Sequence, residues 1–184
     1  MVRFSGYENS ISRIVTFPGG AARLRAVIAL QPDFERLAPI LDDYATRPIQ
    51  EALDWSGCAA PGCEGEWYLV VFRSVRKADV DEQRLTAYDD RAHAEAATAQ
   101  GFVHYFKGPL TERRECLSFC LWNSRQEARA ASGLPAHRGA VTLIREAYER
   151  YTLEFLRVTK RSGMAAFEIE PWDDVDDEVG AGSH

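Results

Sequence analysis

Three histidines, an arginine in an apolar run and two pairs of cysteines are the side chains of this sequence whose settings could support chemistry. His104 lies inside Phe102-Val103-His104-Tyr105-Phe106, a strand-like run. An imidazole facing a cavity there would act as a general base or proton shuttle near neutral pH. The same setting also suits a hydrogen-bonded core histidine. His93 follows Asp89 by four residues, a spacing that makes the two neighbours on a helix surface. Asp89 could then fix the imidazole tautomer, or the two could form an ordinary surface pair. His137 follows Pro135 at a predicted helix start, where the helix dipole disfavours the imidazolium. A neutral imidazole suits an electrophile or ligand role, and Arg125 and Arg138 would make that corner receptive to an anionic or carbonyl group. The competing reading is a capping or packing histidine.

Arg73 interrupts the apolar run Trp67-Tyr68-Leu69-Val70-Val71-Phe72. A buried arginine needs a partner, because an unpaired buried charge is costly. Glu154 and Glu95 are the candidates, and a structural ion pair competes with a substrate clamp. Trp122 and Trp67 could wall an aromatic site, although large aromatics in strands commonly serve as core. Cys116 and Cys120 fall in a strand pattern, where free cysteine behaves as a small core residue. Cys58 and Cys63 flank Ala-Ala-Pro-Gly in a predicted loop, with no second pair and no nearby histidine to complete a zinc site. They read as loop cysteines or a reversible disulfide, and no metal is expected.

The elements that must position these residues are centred on residues 66–158. An apolar strand over 67–74 leads to a helix over 80–99, with Asp79 as N-cap and Glu82 completing a capping box. Its inner face is Leu85, Tyr88, Ala92, Ala96 and Ala99, and Gly101 stops it. A strand over 102–107 follows, then a Gly-Pro turn into a strand over 115–122. Alternation there separates Leu117, Phe119 and Leu121 from Cys116, Ser118, Cys120 and Trp122. The bulky face is expected under helices, and the small face at a cavity or a sheet–sheet contact. Ser124 caps a short helix, Gly133-Leu134 interrupts it, and Pro135 restarts it to about 148. Residues 151–158 form a further strand, and 167–172 an edge strand that pins Trp172 back.

Before this repeat, a short strand is predicted over 11–17 and a helix opening at Pro32-Asp33, with Phe34, Leu37, Ile40, Leu41 and Tyr44 on one side. Thr46 looks like the cap of a second short helix carrying Ile49, Ala52 and Leu53 inward. The domain reading is 1–65 as N-terminal extension and linker, 66–172 as the folded α/β domain, and 173–184 as an acidic disordered tail.

Hydrophobic residues at 46% and charged residues at 27% are globular values that can support a core. A formal charge of −6 argues against nucleic acid and anionic membrane as partners. No apolar run approaches a membrane span, and the first residues lack a secretory h-region. The expected location is cytoplasmic. No phosphate loop, dinucleotide fingerprint, nucleophile elbow or paired-histidine zinc motif is present.

The order βαβ–βαβ predicts an α+β, ferredoxin-like sandwich with helices on one face of the sheet. The other face is too apolar for water, so a second copy is expected to close on it, giving a dimeric α/β barrel with an N-terminal helical extension.

Phe72-Arg73-Ser74, Ala92-His93-Ala94-Glu95-Ala96, Gly101 with Tyr105-Phe106, Cys120-Leu121-Trp122, Pro135-Ala136-His137-Arg138, Tyr148 with Glu154, and the late Phe167–Trp172 run resemble a conserved-protein family with no assigned function. That family is similar to the dimeric α/β-barrel superfamily, which includes the antibiotic-biosynthesis monooxygenases. The resemblance covers roughly residues 66–172. It implies a homodimer binding a small hydrophobic or aromatic molecule, and a cofactor-independent monooxygenase acting on an aromatic or polyketide-like substrate. The alternatives are a non-catalytic ligand-binding or stress-related protein and a haem-binding protein; otherwise no cofactor is expected. The candidate catalytic residues are His104, His93 and His137. The candidate substrate contacts are Phe72, Arg73, Phe106, Ser118, Cys120, Trp122 and Arg125. Fold membership by itself does not specify the reaction.

Overall fold

The computed structural model describes residues 31–59 and 62–173. The expected strand over 11–17 and the acidic tail beyond Asp173 lie outside the described residues. Among the described residues five strands form one antiparallel sheet in the order β2-β3-β1-β4-β5: β1 Gly65–Arg76, β2 Phe102–Lys107, β3 Glu115–Trp122, β4 Tyr148–Lys160 and β5 Glu168–Pro171. The first four, in that order with a helical crossover after β1 and another after β3, are the ferredoxin-like arrangement. The run 67–74 had to be central because it is apolar on both faces, and β1 pairs with β3 on one side and β4 on the other.

Among the described residues five α-helices accompany the sheet: α1 Ile49–Ala52, α2 Glu82–Ala96, α3 Arg125–Ser132, α4 Pro135–Thr142 and α5 Ile144–Ala147. Asp81, not Asp79, caps α2 by accepting the Arg84 amide at 2.9 Å. Ser124 caps α3 as expected, accepting the Glu127 amide at 3.2 Å. Gly101 takes φ +77° in the turn between α2 and β2, and a Cβ there would strike the Glu127 carboxylate. The helix expected over 135–148 breaks instead after Thr142. Gly139, Val141 and Thr142 are weak helix formers, and the Thr142 hydroxyl bonds back to the Gly139 carbonyl at 2.6 Å. Tyr148 consequently begins β4 rather than ending a helix.

The helices lie over the small face of the sheet, which reverses the expected assignment. Cys116, Ser118, Cys120 and Trp122 face α2–α4, in register with Ser74, Phe72, Val70 and Tyr68 of β1. The bulky face, Leu117, Phe119 and Leu121 with Trp67, Leu69 and Val71, packs under the chain's own N-terminal segment. Phe34, Leu37, Tyr44, Ile49, Leu53 and Trp55 supply that cover. It is no long helix. Short 3₁₀ turns at Phe34–Arg36 and Tyr44–Thr46 flank an irregular stretch in which Pro39 bridges to Leu53. Pro39 cannot donate in a helix interior, and Ile40 and Leu41 are left exposed. Thr46 donates to the Asp43 carbonyl, and Pro48 stands at the start of α1 instead. Ile49, Ala52 and Leu53 do point inward, as the pattern predicts. The sheet face opposite the helices, where a second copy is expected to close, is covered by the chain's own N-terminal segment.

Trp172 is pinned back as expected. It meets Tyr68 edge-on at 5.0 Å and lies under the Arg157 guanidinium at 4.6 Å. No helix among the described residues is long and apolar enough to cross a membrane.

Candidate functional site

Small side chains on the helix-facing side of the sheet leave a gap, and it forms a cavity of about 440 Å³. Strand register lays out its floor in rows. Tyr105 of β2, Cys120, Val70 and Phe155 form one row. Lys107, Ser118, Phe72 and Leu153 form the next, and Cys116, Ser74 and Tyr151 the one after. Trp122 stands at one end, edge-on to Phe102 at 5.4 Å. Helix α2 forms the wall above β2, presenting Asp89, Ala92 and His93, and α4 supplies His137 and Val141. On the β4 side the rim is apolar and open: Leu153, Phe155 and Val141 are all exposed.

The wall carries the polar chemistry. The Asp89 carboxylate accepts the Tyr105 hydroxyl at 3.1 Å and pairs with the Lys107 ammonium at 2.5 Å. The His93 ring lies 4.6 Å from the Tyr105 ring. Burial first, then the Asp89 charge, pushes the Tyr105 phenol well above its ordinary range. Burial likewise raises the Tyr151 phenol, and pushes the Cys120 thiol up to about 12. These groups stay protonated at neutral pH, so they offer hydrogen bonds and apolar surface, not nucleophiles. Among the described residues no cluster of three or more His, Cys, Asp or Glu is arranged to hold a metal.

Of the sequence candidates, His93, His137, Phe72, Ser118, Cys120, Trp122 and Arg125 all line this cavity. His104, Phe106 and Arg73 do not; they project to the opposite face of the sheet. A bulge between Phe102 and His104 is the cause for His104. Phe102 pairs with Trp122 on the cavity side, whereas His104 pairs with Leu121 on the other. Burial there depresses the His104 imidazole, partly offset by the Glu35 and Asp33 carboxylates. Phe106 stacks on Phe119 in the core, at 5.2 Å between centroids. Arg73 pairs with Glu154, not Glu95, and donates to the Ala45 and Arg47 carbonyls at 2.8 and 2.7 Å. Trp67 also belongs to that opposite core, against Phe34.

Glu95 has a different task. Its carboxylate accepts the Ala136 and His137 amides at 2.8 and 3.2 Å, capping α4 where Leu134 and Pro135 cannot. His137 is thereby fixed at the cavity wall, with its imidazole depressed by burial and partly restored by Glu95. Cys58 and Cys63 are free and buried, away from this site. Tyr105 and Lys107 were missed from sequence. The hairpin register could have found them, because it sets them beside Cys120 and Ser118.

A family model described as PB2B2.08-like matches residues 24–171. The chain belongs to that family. A relative in Schizosaccharomyces pombe (strain 972 / ATCC 24843), the UPF0643 protein PB2B2.08, is 29% identical over 93 residues, spanning 47% of this chain and 42% of the relative. The chain therefore matches less than half the length of that curated family member. Among solved structures, Rv0793 from Mycobacterium tuberculosis superposes with a TM-score of 0.45 at 19% identity, over 49% of this chain and 92% of its own. SnoaB from Streptomyces nogalater, a cofactor-independent oxygenase, gives 0.41 at 19% identity, over 54% and 97%. Protein SO0527 from Shewanella oneidensis gives 0.46 at 11% identity, over 52% and 94%. The ferredoxin-like strand order β2-β3-β1-β4 is present in this chain itself.

Proposed function

We propose that the protein binds a small, mostly apolar aromatic molecule in the cavity between sheet and helices, and oxygenates it without a cofactor. The observation that supports this is the cavity's composition: a mostly apolar floor and an apolar rim beside one hydrogen-bonding cluster, Asp89, Tyr105 and His93. Such a site suits a flat ring system carrying one or two hydroxyls. In the chemistry that the sequence resemblance implies, the substrate anion itself reduces oxygen. A ring methylene loses two hydrogens and takes up one oxygen atom as a carbonyl, and the second oxygen atom leaves with those hydrogens as water. The protein's part is to accept the first proton, at Asp89 or His93, and to hold the ring against Val70, Phe72 and Trp122 away from water.

The second reading is a ligand carrier of the same cavity. Burial holds Tyr105, Tyr151 and Cys120 protonated, which leaves few groups equipped for turnover. One experiment separates the two. The purified protein is mixed with anthrones and dihydroxynaphthalenes under oxygen while tryptophan fluorescence and oxygen uptake are followed. Uptake dependent on the protein supports the oxygenase; quenching without uptake supports the carrier; neither response removes both.

A further inference from the structure

The sheet face opposite the cavity is sealed. Leu69, Val71, Leu117, Phe119, Leu121 and Val158 are each 0% exposed there. Their cover comes from the same chain: Ile49, Ala52 and Leu53 are at most 2% exposed on the segment side. Trp55 is 6.4 Å from Phe119 between ring centroids and donates its indole N–H to the Ile49 carbonyl at 2.9 Å, so its polar edge is satisfied within the segment. A stable protein interface buries about 800 Å² per partner around an apolar centre. On this segment the exposed large apolar side chains are Ile40 and Leu41 alone, among the described residues.

A part-buried polar contact holds the segment down. Arg73 projects from β1 into this face with its side chain 18% exposed. Its guanidinium joins Glu154 of β4 to the carbonyls of Ala45 and Arg47. It thus ties two strands to the 3₁₀ turn of the segment in one planar fork, a geometry lysine cannot reproduce. The Tyr44 hydroxyl makes a second tie, donating to the Pro109 carbonyl in the β2–β3 turn.

We infer that residues 34–58 stand in for a second subunit on the sheet, latched by Arg73, so that the functional unit is one chain with one complete cavity. The cavity lies on the other side of the sheet, so this holds whatever ligand the cavity takes.

Light scattering behind size exclusion, run from about 2 to about 200 µM, reads the assembly state directly. The expected mass is that of one chain, 20.7 kDa. A two-chain mass across that range overturns the inference. Hydrogen exchange on the full chain then tests the latch with Arg73→Met and Arg73→Lys. Exchange of the amides of residues 34–58 should quicken by about tenfold or more in both variants while β1 and β3 stay protected. The lysine variant keeps the positive charge beside Glu154 and remains informative where the methionine variant fails to fold. Exchange in that segment equal to the wild type in Arg73→Lys overturns the latch.

Discussion

Asp89 accepts the Tyr105 hydroxyl at 3.1 Å, joining α2 to β2 across the cavity wall. The Tyr105 ring lies tilted beside His93, 4.6 Å between ring centroids, so the contact sets where a ligand hydroxyl would meet the protein.

Asp89→Asn should show whether that contact governs the site. Removing the negative charge removes one of the causes that hold the Tyr105 phenol up, so its ionisation should move down toward the ordinary tyrosine value while burial keeps it above. Tyrosinate absorbance against pH measures this. If the proposed chemistry is right, turnover should also fall by about 100-fold, the usual contribution of a positioned base. Unchanged turnover would sink Asp89 as the base and leave His93.

The two-faced strands were legible from alternation alone, and the hairpin Phe102–Lys107 to Glu115–Trp122 falls where the pattern put it. Which face meets the helices was not legible. Period-2 alternation sorts side chains into two sets without saying what covers each. By size Phe119 suits a helix-covered face, yet helices over Ser118 and Cys120 leave the gap that makes a cavity. His104 was misplaced for a different reason. Without the bulge after Phe102 it would share that residue's face, and nothing in the local sequence marks the bulge. Pro39, in contrast, was a readable warning against the helix over 32–44.

Phe119 is the keystone of the segment-covered core. It is fully buried and lies between Phe106 and Trp55. Phe119→Ala should cost about 3–5 kcal/mol in urea unfolding, because the void opens where sheet and segment meet. A loss under about 1 kcal/mol would mean that the segment collapses readily into the space, contrary to tight packing.

The α4 start depends on a carboxylate borrowed from α2. Glu95→Ala should lower stability by about 1 kcal/mol, the usual worth of a helix cap. Glu95→Gln keeps an acceptor oxygen and should lose only the charge–dipole part, about 0.3–1 kcal/mol. Denaturant midpoints of the two variants give both numbers. Equal losses would mean that the charge, not the hydrogen bonds, carries the effect.

Acid should weaken the fold partly through His104 and His137. Burial depresses both imidazoles, so in the folded state they bind protons less readily than in the unfolded chain. Their favourable contribution is present above the unfolded value of about 6.5 and is lost as pH falls through the lower folded values. His104→Gln should therefore flatten the fall in urea midpoint between about pH 7.5 and about pH 5.5. An equally steep fall in the variant would show that carboxylates alone drive the acid response.

Thiol chemistry offers the last check on the cavity floor. The cysteines at 58, 116 and 120 are held protonated by burial, with Cys58 pushed up to about 11 and Cys120 to about 12. Thiolate is the reacting form, so little of it exists at pH 8 in the folded protein. Ellman's reagent should label these three slowly in the native state, and all four cysteines of the chain rapidly in guanidinium. Cys120 faces the cavity, so a bound ring should slow its labelling further while leaving Cys58 unchanged. Peptide mapping of the labelled protein distinguishes them. Fast native labelling at Cys120 would mean that water reaches the floor freely, and a site that must exclude water could not be built there.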